Sequence, residues 1–104
     1  MRIIVDIDGT ICTKVSDGNY KNALPIQHNI DVINDLYKRG NKIIYWTARG
    51  TETGIDWKPA TMAQLDEWGV KYHGLEFKKP FYDLWIDDKA INASALRRIK
   101  EGGN

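Results

Sequence analysis

The sequence predicts an α/β fold in which a mostly parallel sheet is covered by helices on both faces, a three-layer α/β/α sandwich. Three observations predict it. Short β-branched or aromatic runs alternate with amphipathic stretches in the order strand, helix, strand, helix, strand, strand, helix. Glycines stand where two of the helices should end. The length of 104 residues is that of one domain, which predicts a single domain over residues 1–104.

The first half of the chain gives the clearest elements. The run Ile3-Ile4-Val5 predicts a strand that is buried on both faces. Residues 11–25 are polar and rich in turn residues, and we predict a loop with a small hairpin there. Apolar residues recur at helical spacing over residues 26–37 and stop before Gly40. Residues 42–46 predict the second strand.

The second half repeats the alternation less regularly. A helix is predicted from about Asp56 to Trp68, with Asp56 as its N-cap. Residues 70–77 predict a third strand that is interrupted near Gly74, and residues 82–86 predict a fourth. Residues 90–100 predict a closing helix.

Composition and charge exclude several classes of partner. Hydrophobic residues make up 42% of the chain and charged residues 28%, as in an ordinary globular protein. The net charge is +1 and the basic residues are scattered, which argues against nucleic acid or a membrane surface as a partner. The single cysteine, Cys12, excludes an internal disulfide and is expected to be a packing residue. Without a signal peptide pattern or a long apolar run, we expect a cytoplasmic protein.

Acidic and hydroxyl side chains follow three of the predicted strands. Asp6 and Asp8 end the first strand, Thr47 follows the second, and Asp87 with Asp88 follows the fourth. In an open parallel sheet, ligands bind beyond the carboxyl ends of the strands. The sequence therefore predicts that these side chains line one crevice.

The chemistry of this crevice points to phosphate. Several carboxylates this close cannot all ionise unless cations compensate them. Lys78 or Lys79, in the connection before the fourth strand, can compensate one charge, and a hard divalent cation can compensate the rest. Oxygen ligands without a His or Cys cluster favour Mg²⁺, which typically binds one or two carboxylates together with a substrate phosphate.

The residue types also suggest roles in phosphoryl transfer. A carboxylate can attack phosphorus, and a second carboxyl group two residues away can transfer protons. Gly9 lets the backbone turn sharply close to a phosphate. Thr47 can donate a hydrogen bond to a phosphoryl oxygen, and a lysine can balance charge in the transition state.

These residues resemble the four motifs of the haloacid dehalogenase (HAD) superfamily in order and in position. The matching segments are Asp6-Ile7-Asp8-Gly9-Thr10, Thr47, Lys79 and Asp87-Asp88. The resemblance covers residues 3–88 and implies a Rossmann-like, HAD-like fold. It implies that Asp6 is the nucleophile, that Asp8 is the general acid/base, and that Asp6, the Asp8 carbonyl and Asp87 hold Mg²⁺. Since Asp at the position of Asp8 is typical of phosphatases in this superfamily, the resemblance implies an aspartyl-phosphate mechanism.

Two assignments stay open between neighbours. Either Lys78 or Lys79 could be the third motif, and we favour Lys79 because a Lys-Pro pair often marks it and Pro80 follows. Either Asp87 or Asp88 could be the direct metal ligand. We favour Asp87 because it comes first after the predicted strand, with Asp88 acting through water or orienting Lys79.

The resemblance also carries expectations about the substrate. The expected substrate-binding residues are Gly9, Thr10, Ala48 and Arg49, although a surface role facing a helix is an equal alternative for Arg49. The gaps between motifs leave no room for the cap domain that many members carry. Small capless members of this length are found among capsule and polysaccharide biosynthesis enzymes. We therefore expect a phosphorylated small metabolite or sugar-related substrate, with either an open crevice or a homo-oligomer whose neighbouring subunit covers it.

Three other functions compete with a phosphatase. A phosphotransferase of the same superfamily would use the same catalytic residues with a different acceptor. A phospho-receiver domain also combines acidic residues, Thr and Lys on a parallel sheet, but its acceptor Asp lies on a middle strand. A catalytically idle binding module on the same fold is the third alternative.

Overall fold

Three parallel strands form one sheet in the order β1-β2-β3. In the computed structural model, which describes residues 1–98, β1 spans Arg2–Val5, β2 spans Lys42–Trp46 and β3 spans Gly74–Glu76. Because all three strands run in the same direction, the residues that follow them meet at one edge of the sheet. The protein is thus a small α/β domain with its strand ends collected on one side.

Two α-helices connect the strands. Helix α1 spans Gln27–Lys38 and helix α2 spans Lys58–Glu67, and short 3₁₀ helices span Tyr20–Asn22 and Ala93–Arg98. The predictions of the first two strands and of both α-helices are confirmed to within about two residues at each end. The alternation of strand and helix was therefore readable from the sequence.

The predicted glycines follow both helices, but the N-cap predicted at Asp56 is wrong. The N-cap of α2 is Trp57, which makes no side-chain capping bond, and Asp56 lies one residue earlier, where its carboxylate accepts a hydrogen bond from the Lys58 backbone N–H at 3.0 Å. Gly40 and Gly69 follow α1 and α2 with φ values of 94° and 69°. Glycine adopts this left-handed conformation without a steric penalty, so it can end both helices at little cost in free energy.

The core lies between the sheet, α1 and the loop that follows β1. It is built mainly from β-branched and aromatic side chains of the strands and from one face of each helix. The largest fully buried apolar side chains are Ile7, Ile11, Ile30, Ile43, Tyr45 and Leu65. On α2, Thr61 and Leu65 are buried, whereas Met62 is exposed.

The fourth strand predicted at residues 82–86 is absent from the sheet in the described part of the chain. Leu84 and Ile86 are exposed, and no strand includes them. The rings of Tyr82 and Trp85 instead pack around Lys79, at 5.0 and 5.4 Å from its Nζ. The expectation that β1 is buried on both faces is also wrong, because the side chain of Ile4 is largely exposed.

The loop before α1 returns on itself without forming two strands. Its two ends are joined by backbone hydrogen bonds from Thr13 to Leu24 and from Ile26 to Ile11, each 2.8 Å long. Of the closing helix predicted at residues 90–100, the structure shows the 3₁₀ helix Ala93–Arg98, and residues 99–100 lie outside the described residues. Within residues 1–98, no helix has the length and apolar character needed to cross a membrane.

Candidate active site at the carboxyl ends of β1 and β2

Asp6 lies directly after β1, with its carboxylate partly open to solvent. The Ile7 backbone N–H donates to Asp6 Oδ1 at 2.9 Å, and Lys79 Nζ lies 3.6 Å from the same oxygen. Burial raises the pKa of Asp6, while the positive charge of Lys79 opposes that rise. Among the described residues, both contacts involve Oδ1, which leaves Oδ2 as the oxygen that could attack an incoming group.

Lys79 reaches Asp6 from the connection after β3. Its side chain is about 10% exposed, and its Nζ lies 3.2 Å from the Tyr82 hydroxyl. The backbone around it is fixed, because its N–H donates to the Thr47 carbonyl at 3.1 Å and its carbonyl accepts from the Thr51 hydroxyl at 2.9 Å. The structure thus places Lys79 beside Asp6, whereas Lys78 is exposed.

Aromatic rings surround the Lys79 ammonium group. The centroids of Tyr82, Trp85 and Trp46 lie 5.0, 5.4 and 6.0 Å from Nζ, within the range of cation–π attraction. These ring contacts hold the amine in place, and the same amine forms the ion pair with Asp6. No pattern in the sequence connected these rings with Lys79.

Asp8 is held in a different way from Asp6. Arg49 Nε donates to Asp8 Oδ2 and Arg49 Nη2 donates to Asp8 Oδ1, both at 2.9 Å, which makes a bidentate ion pair. The Cys12 thiol also lies 3.4 Å from Asp8 Oδ1. Burial and the charge of Asp8 raise the pKa of Cys12 to about 12, so this thiol is neutral at ordinary pH.

Arg49 is enclosed by residues of α2 and of the loop before α1. Its side chain is about 1% exposed, and Nη1 donates to the Thr61 hydroxyl at 3.0 Å and to Gln64 Oε1 at 2.6 Å. The Tyr20 ring lies 4.7 Å from its guanidinium carbon. Arg49 was predicted to bind substrate, or else to face a helix from the surface. The structure buries it between Asp8 and α2.

The residues that support Arg49 were missed by the sequence analysis. Thr61 and Gln64 are three residues apart and therefore lie on the same side of α2, where they interrupt its apolar face. Polar residues on a buried helix face need partners, so this pattern could have indicated a buried charge. It could not have indicated which charge.

The other predicted substrate-binding residues form the two turns beside these carboxylates. Gly9 has φ 83° and lies in the turn after β1, where a side chain would collide with Lys14. The Thr10 carbonyl accepts a hydrogen bond from Asn29 of α1 at 2.8 Å. The Ala48 carbonyl accepts from the Thr51 N–H at 2.9 Å.

Thr47 ends β2 with its side chain buried. Its hydroxyl oxygen accepts a hydrogen bond from the Arg49 backbone N–H at 3.1 Å, and its own N–H donates to the Glu76 carbonyl at 2.9 Å. These bonds fix the turn after β2. Among residues 1–98 the hydroxyl hydrogen has no acceptor, so it can be donated to another group.

The predicted metal ligands are not gathered into one group. Asp87 and Asp88 lie in an exposed segment, and the Asp87 carboxylate accepts the Lys89 N–H at 2.9 Å and the Trp85 indole N–H at 3.4 Å. The hydrogen bond from Lys89 lowers the pKa of Asp87. Within residues 1–98, no three His, Cys, Asp or Glu side chains are placed so that they could hold a metal ion. The described residues therefore do not bring the predicted Mg²⁺ ligands together.

Comparison with known proteins shows likeness in structure alone. No family model matches the chain, and no curated protein matches it. It is similar to a crystal structure of a structural-genomics target from Vibrio cholerae, with 28% sequence identity and a TM-score of 0.85. That likeness covers 95% of this chain and 89% of the other, so the two proteins have a similar fold over nearly the whole of this chain.

Proposed function

We propose that this protein is a HAD-type phosphatase that hydrolyses a phosphate monoester through an aspartyl-phosphate on Asp6. The observation that carries the proposal is the placement of Lys79 Nζ at 3.6 Å from a partly exposed Asp6 carboxylate at the end of β1. A nucleophilic carboxylate needs access to substrate and a cation that balances the charge of the transferred phosphoryl group. Asp6 and Lys79 together offer both.

The proposed reaction has two steps. The reactive form of the enzyme has Asp8 protonated. In this form Asp6 Oδ2 attacks phosphorus, the bond from phosphorus to the ester oxygen breaks, and the leaving oxygen takes the proton of Asp8. Water then attacks the same phosphorus and gives a proton to Asp8, and the bond from phosphorus to Asp6 breaks. Inorganic phosphate and the alcohol are the products, and Asp6 and Asp8 return to their starting states.

Arg49 and Lys79 have different electrostatic roles in this mechanism. Arg49 contacts both oxygens of Asp8 and so fixes its direction, and Asp8 Oδ2, which accepts one hydrogen bond, keeps a lone pair that can exchange a proton. Lys79 lies beside the oxygen of Asp6 that does not attack, where its charge can stabilise the phosphoryl oxygens. The Rossmann-like, HAD-like assignment of the fold belongs to this same proposal, and the parallel sheet with its acidic strand ends supports it.

Magnesium belongs to the proposal as an expectation from the carboxylate chemistry and the motif resemblance, and neither reaction step above uses it. The same resemblance supports a phosphorylated metabolite, including a sugar-related intermediate of polysaccharide biosynthesis, as the substrate. We expect activity that requires Mg²⁺ and is lost after chelation. Full activity after careful metal removal would exclude the metal while leaving the covalent step to be judged separately.

The direct test is the covalent intermediate. A screen of phosphorylated metabolites with phosphate release as readout should identify a substrate. Rapid acid quenching of the reaction with that substrate should then show a phosphoryl adduct on Asp6 by mass spectrometry. Failure of every monoester, or an adduct on a different residue, would overturn the proposal. Transfer of the phosphoryl group to an added alcohol in preference to water would instead identify a phosphotransferase.

A further inference from the structure

A cavity of about 300 Å³ adjoins the candidate active site. It lies between the loop that follows Thr47 and the residues that follow β3. Its wall is formed mainly by Gly50, Ile55, Trp57, Lys58, Phe77 and Lys78. Arg49, which binds Asp8, also contributes to this wall, and Lys78 directly precedes Lys79. Arg49 and Lys78 therefore connect the cavity to the residues beside Asp8 and Asp6, and its volume suits a group about the size of one substituted ring.

The wall combines apolar surface with positive charge. Trp57, Phe77 and Ile55 supply rings and an aliphatic side chain, and Lys58 and Lys78 are exposed lysines that line the same space. Asp56 is the one acidic residue of the wall, and its carboxylate already accepts the Lys58 backbone N–H. A wall of this kind favours an apolar ring that carries negative charge.

The backbone directs the two adjacent lysines to different places. Lys78 has φ 65°, in the left-handed region, which costs a non-glycine residue roughly 1 kcal/mol or more. In this conformation Lys78 lines the cavity while Lys79 reaches Asp6. A glycine at position 78 would adopt the same backbone conformation without the penalty. The advantage of lysine there is therefore its side chain.

The loop on the other side of the cavity is equally constrained. Gly50 has φ 82°, and a side chain there would overlap the Ile55 carbonyl oxygen. The Gly54 N–H donates to the Gly50 carbonyl at 2.9 Å, and the Thr51 hydroxyl donates to the Lys79 carbonyl at 2.9 Å. The segment that shapes the cavity is thus bonded to the segment that carries Lys79, so the two sites keep a fixed relation.

We propose that this cavity binds the leaving group of the phosphate monoester and selects one that has a ring and a second negative charge. The ring packs against Trp57 and Phe77, and the second charge, a carboxylate or a phosphate, pairs with Lys58 and Lys78. This inference rests on the proposed function, because it assigns the cavity to the substrate of the same reaction. It names a chemical class that the motifs around Asp6 do not specify.

The test compares esters that share one ring. The kcat/KM for phenyl phosphate is compared with the values for 4-carboxyphenyl phosphate, its neutral 4-carbamoyl analogue, and a benzene ring with two phosphate groups. The carboxylate and bisphosphate arms distinguish the two sources of charge. In Lys58→Met and in Lys78→Met, the preference for the charged over the neutral ester should fall about fivefold, as expected for losing one ion pair at a partly exposed site. Lys71→Met, an exposed lysine outside the cavity, is the matched control and should keep the preference.

A second measurement separates failure of the subsite from failure of the phosphatase. Benzoate, which contains no phosphoryl group, should shift the NMR signals of Trp57 and Phe77, and the Lys58→Met/Lys78→Met double variant should lose these shifts. If no ester is hydrolysed but the shifts are present, the cavity binds such rings and the proposed reaction is wrong. An unchanged preference in both lysine variants, or shifts confined to other parts of the protein, would overturn the subsite.

Discussion

The two aspartates that follow β1 are both paired with a cation, and the two pairs differ in geometry and in exposure to solvent. Asp8 and Arg49 form two hydrogen bonds of 2.9 Å around a guanidinium that is about 1% exposed. Asp6 and Lys79 meet at 3.6 Å through one carboxylate oxygen, and about a third of the Asp6 side chain is exposed. The first pair lies largely within the fold, whereas in the second the lysine is buried and the carboxylate is partly open to solvent.

This difference separates what holds the protein together from what could react. A bidentate buried pair fixes its carboxylate, and its loss leaves an uncompensated charge inside the fold. The Asp6 pair is looser and its carboxylate is partly exposed, so that carboxylate can turn toward a substrate. Of the two aspartates, Asp6 is therefore the more accessible and Asp8 the more firmly held.

The largest expected difference between the two pairs is obtained by neutralising each aspartate in turn. Asp6→Asn should reduce kcat by more than about a thousandfold, since the nucleophile is lost, and should change the free energy of unfolding by less than about 1 kcal/mol. Asp8→Asn should reduce both the rate and the stability, because Arg49 loses its charged partner. Phosphate release and urea denaturation measure the two effects. Activity of Asp6→Asn within about tenfold of the wild type would contradict the covalent mechanism.

The second test removes the buried cation. Arg49→Met should lower the free energy of unfolding by about 3 kcal/mol, because Asp8 would be left partly buried without its partner and Thr61 and Gln64 would lose a donor. Arg39→Met is the control, since Arg39 pairs with Asp35 at 2.9 Å on an exposed face of the chain. That surface pair should be worth less than about 0.5 kcal/mol. Equal losses in the two variants would show that burial does not distinguish these pairs.

The adjacent lysines give the third test. Lys79→Ala should reduce the rate about a hundredfold or more, the usual effect of losing one preorganised group that stabilises transition-state charge. Lys78→Ala should reduce hydrolysis of phenyl phosphate by less than about tenfold, because Lys78 lines the neighbouring cavity and does not reach Asp6. Single-turnover rates measured at saturating substrate would give the comparison. The reverse order would move the third motif to Lys78.

The smallest effect concerns the thiol beside Asp8. With its pKa raised to about 12 by burial, Cys12 should be thiolate in only about one molecule in ten thousand at pH 8 and should resist alkylation until the protein unfolds. The folded state then holds the thiol proton more tightly than the unfolded state, in which the pKa is near 9.0. Stability should therefore fall as pH rises from about 9 through about 12. Rapid labelling of the native protein at pH 8 would contradict this.

The sequence predicted the elements whose patterns are contained within one segment of the chain. Helix α1 has five apolar residues at helical spacing and a glycine at its end, and β2 is a short apolar run between turns, so neither depends on distant partners. Residues 82–86 have a similar run of aromatic and aliphatic side chains. There the contacts of Tyr82 and Trp85 with Lys79 replace strand pairing, and no local pattern records such a contact.

The candidate site shows the same division. Because parallel strands end at one edge, the sequence could place Asp6, Asp8 and Thr47 together, and the structure has all three at the ends of β1 and β2. The sequence could not show that Arg49 would form an ion pair with Asp8, since that contact spans 41 positions and depends on where α2 packs. The gathering of Asp87 with Asp6 depended on the fourth strand, which the described residues do not form.

The pairing of Asp8 with Arg49 also determines what could be learned from related sequences. If a descendant of this protein lost its chemistry and kept only a binding role, selection for a stable fold would still preserve Asp8, Arg49 and the α2 residues that hold them. Asp6, whose carboxylate is partly exposed, would be free to drift. On the proposed mechanism, a relative that retains the first set without Asp6 would therefore be a catalytically silent copy, and a count of retained aspartates alone would mistake it for an enzyme.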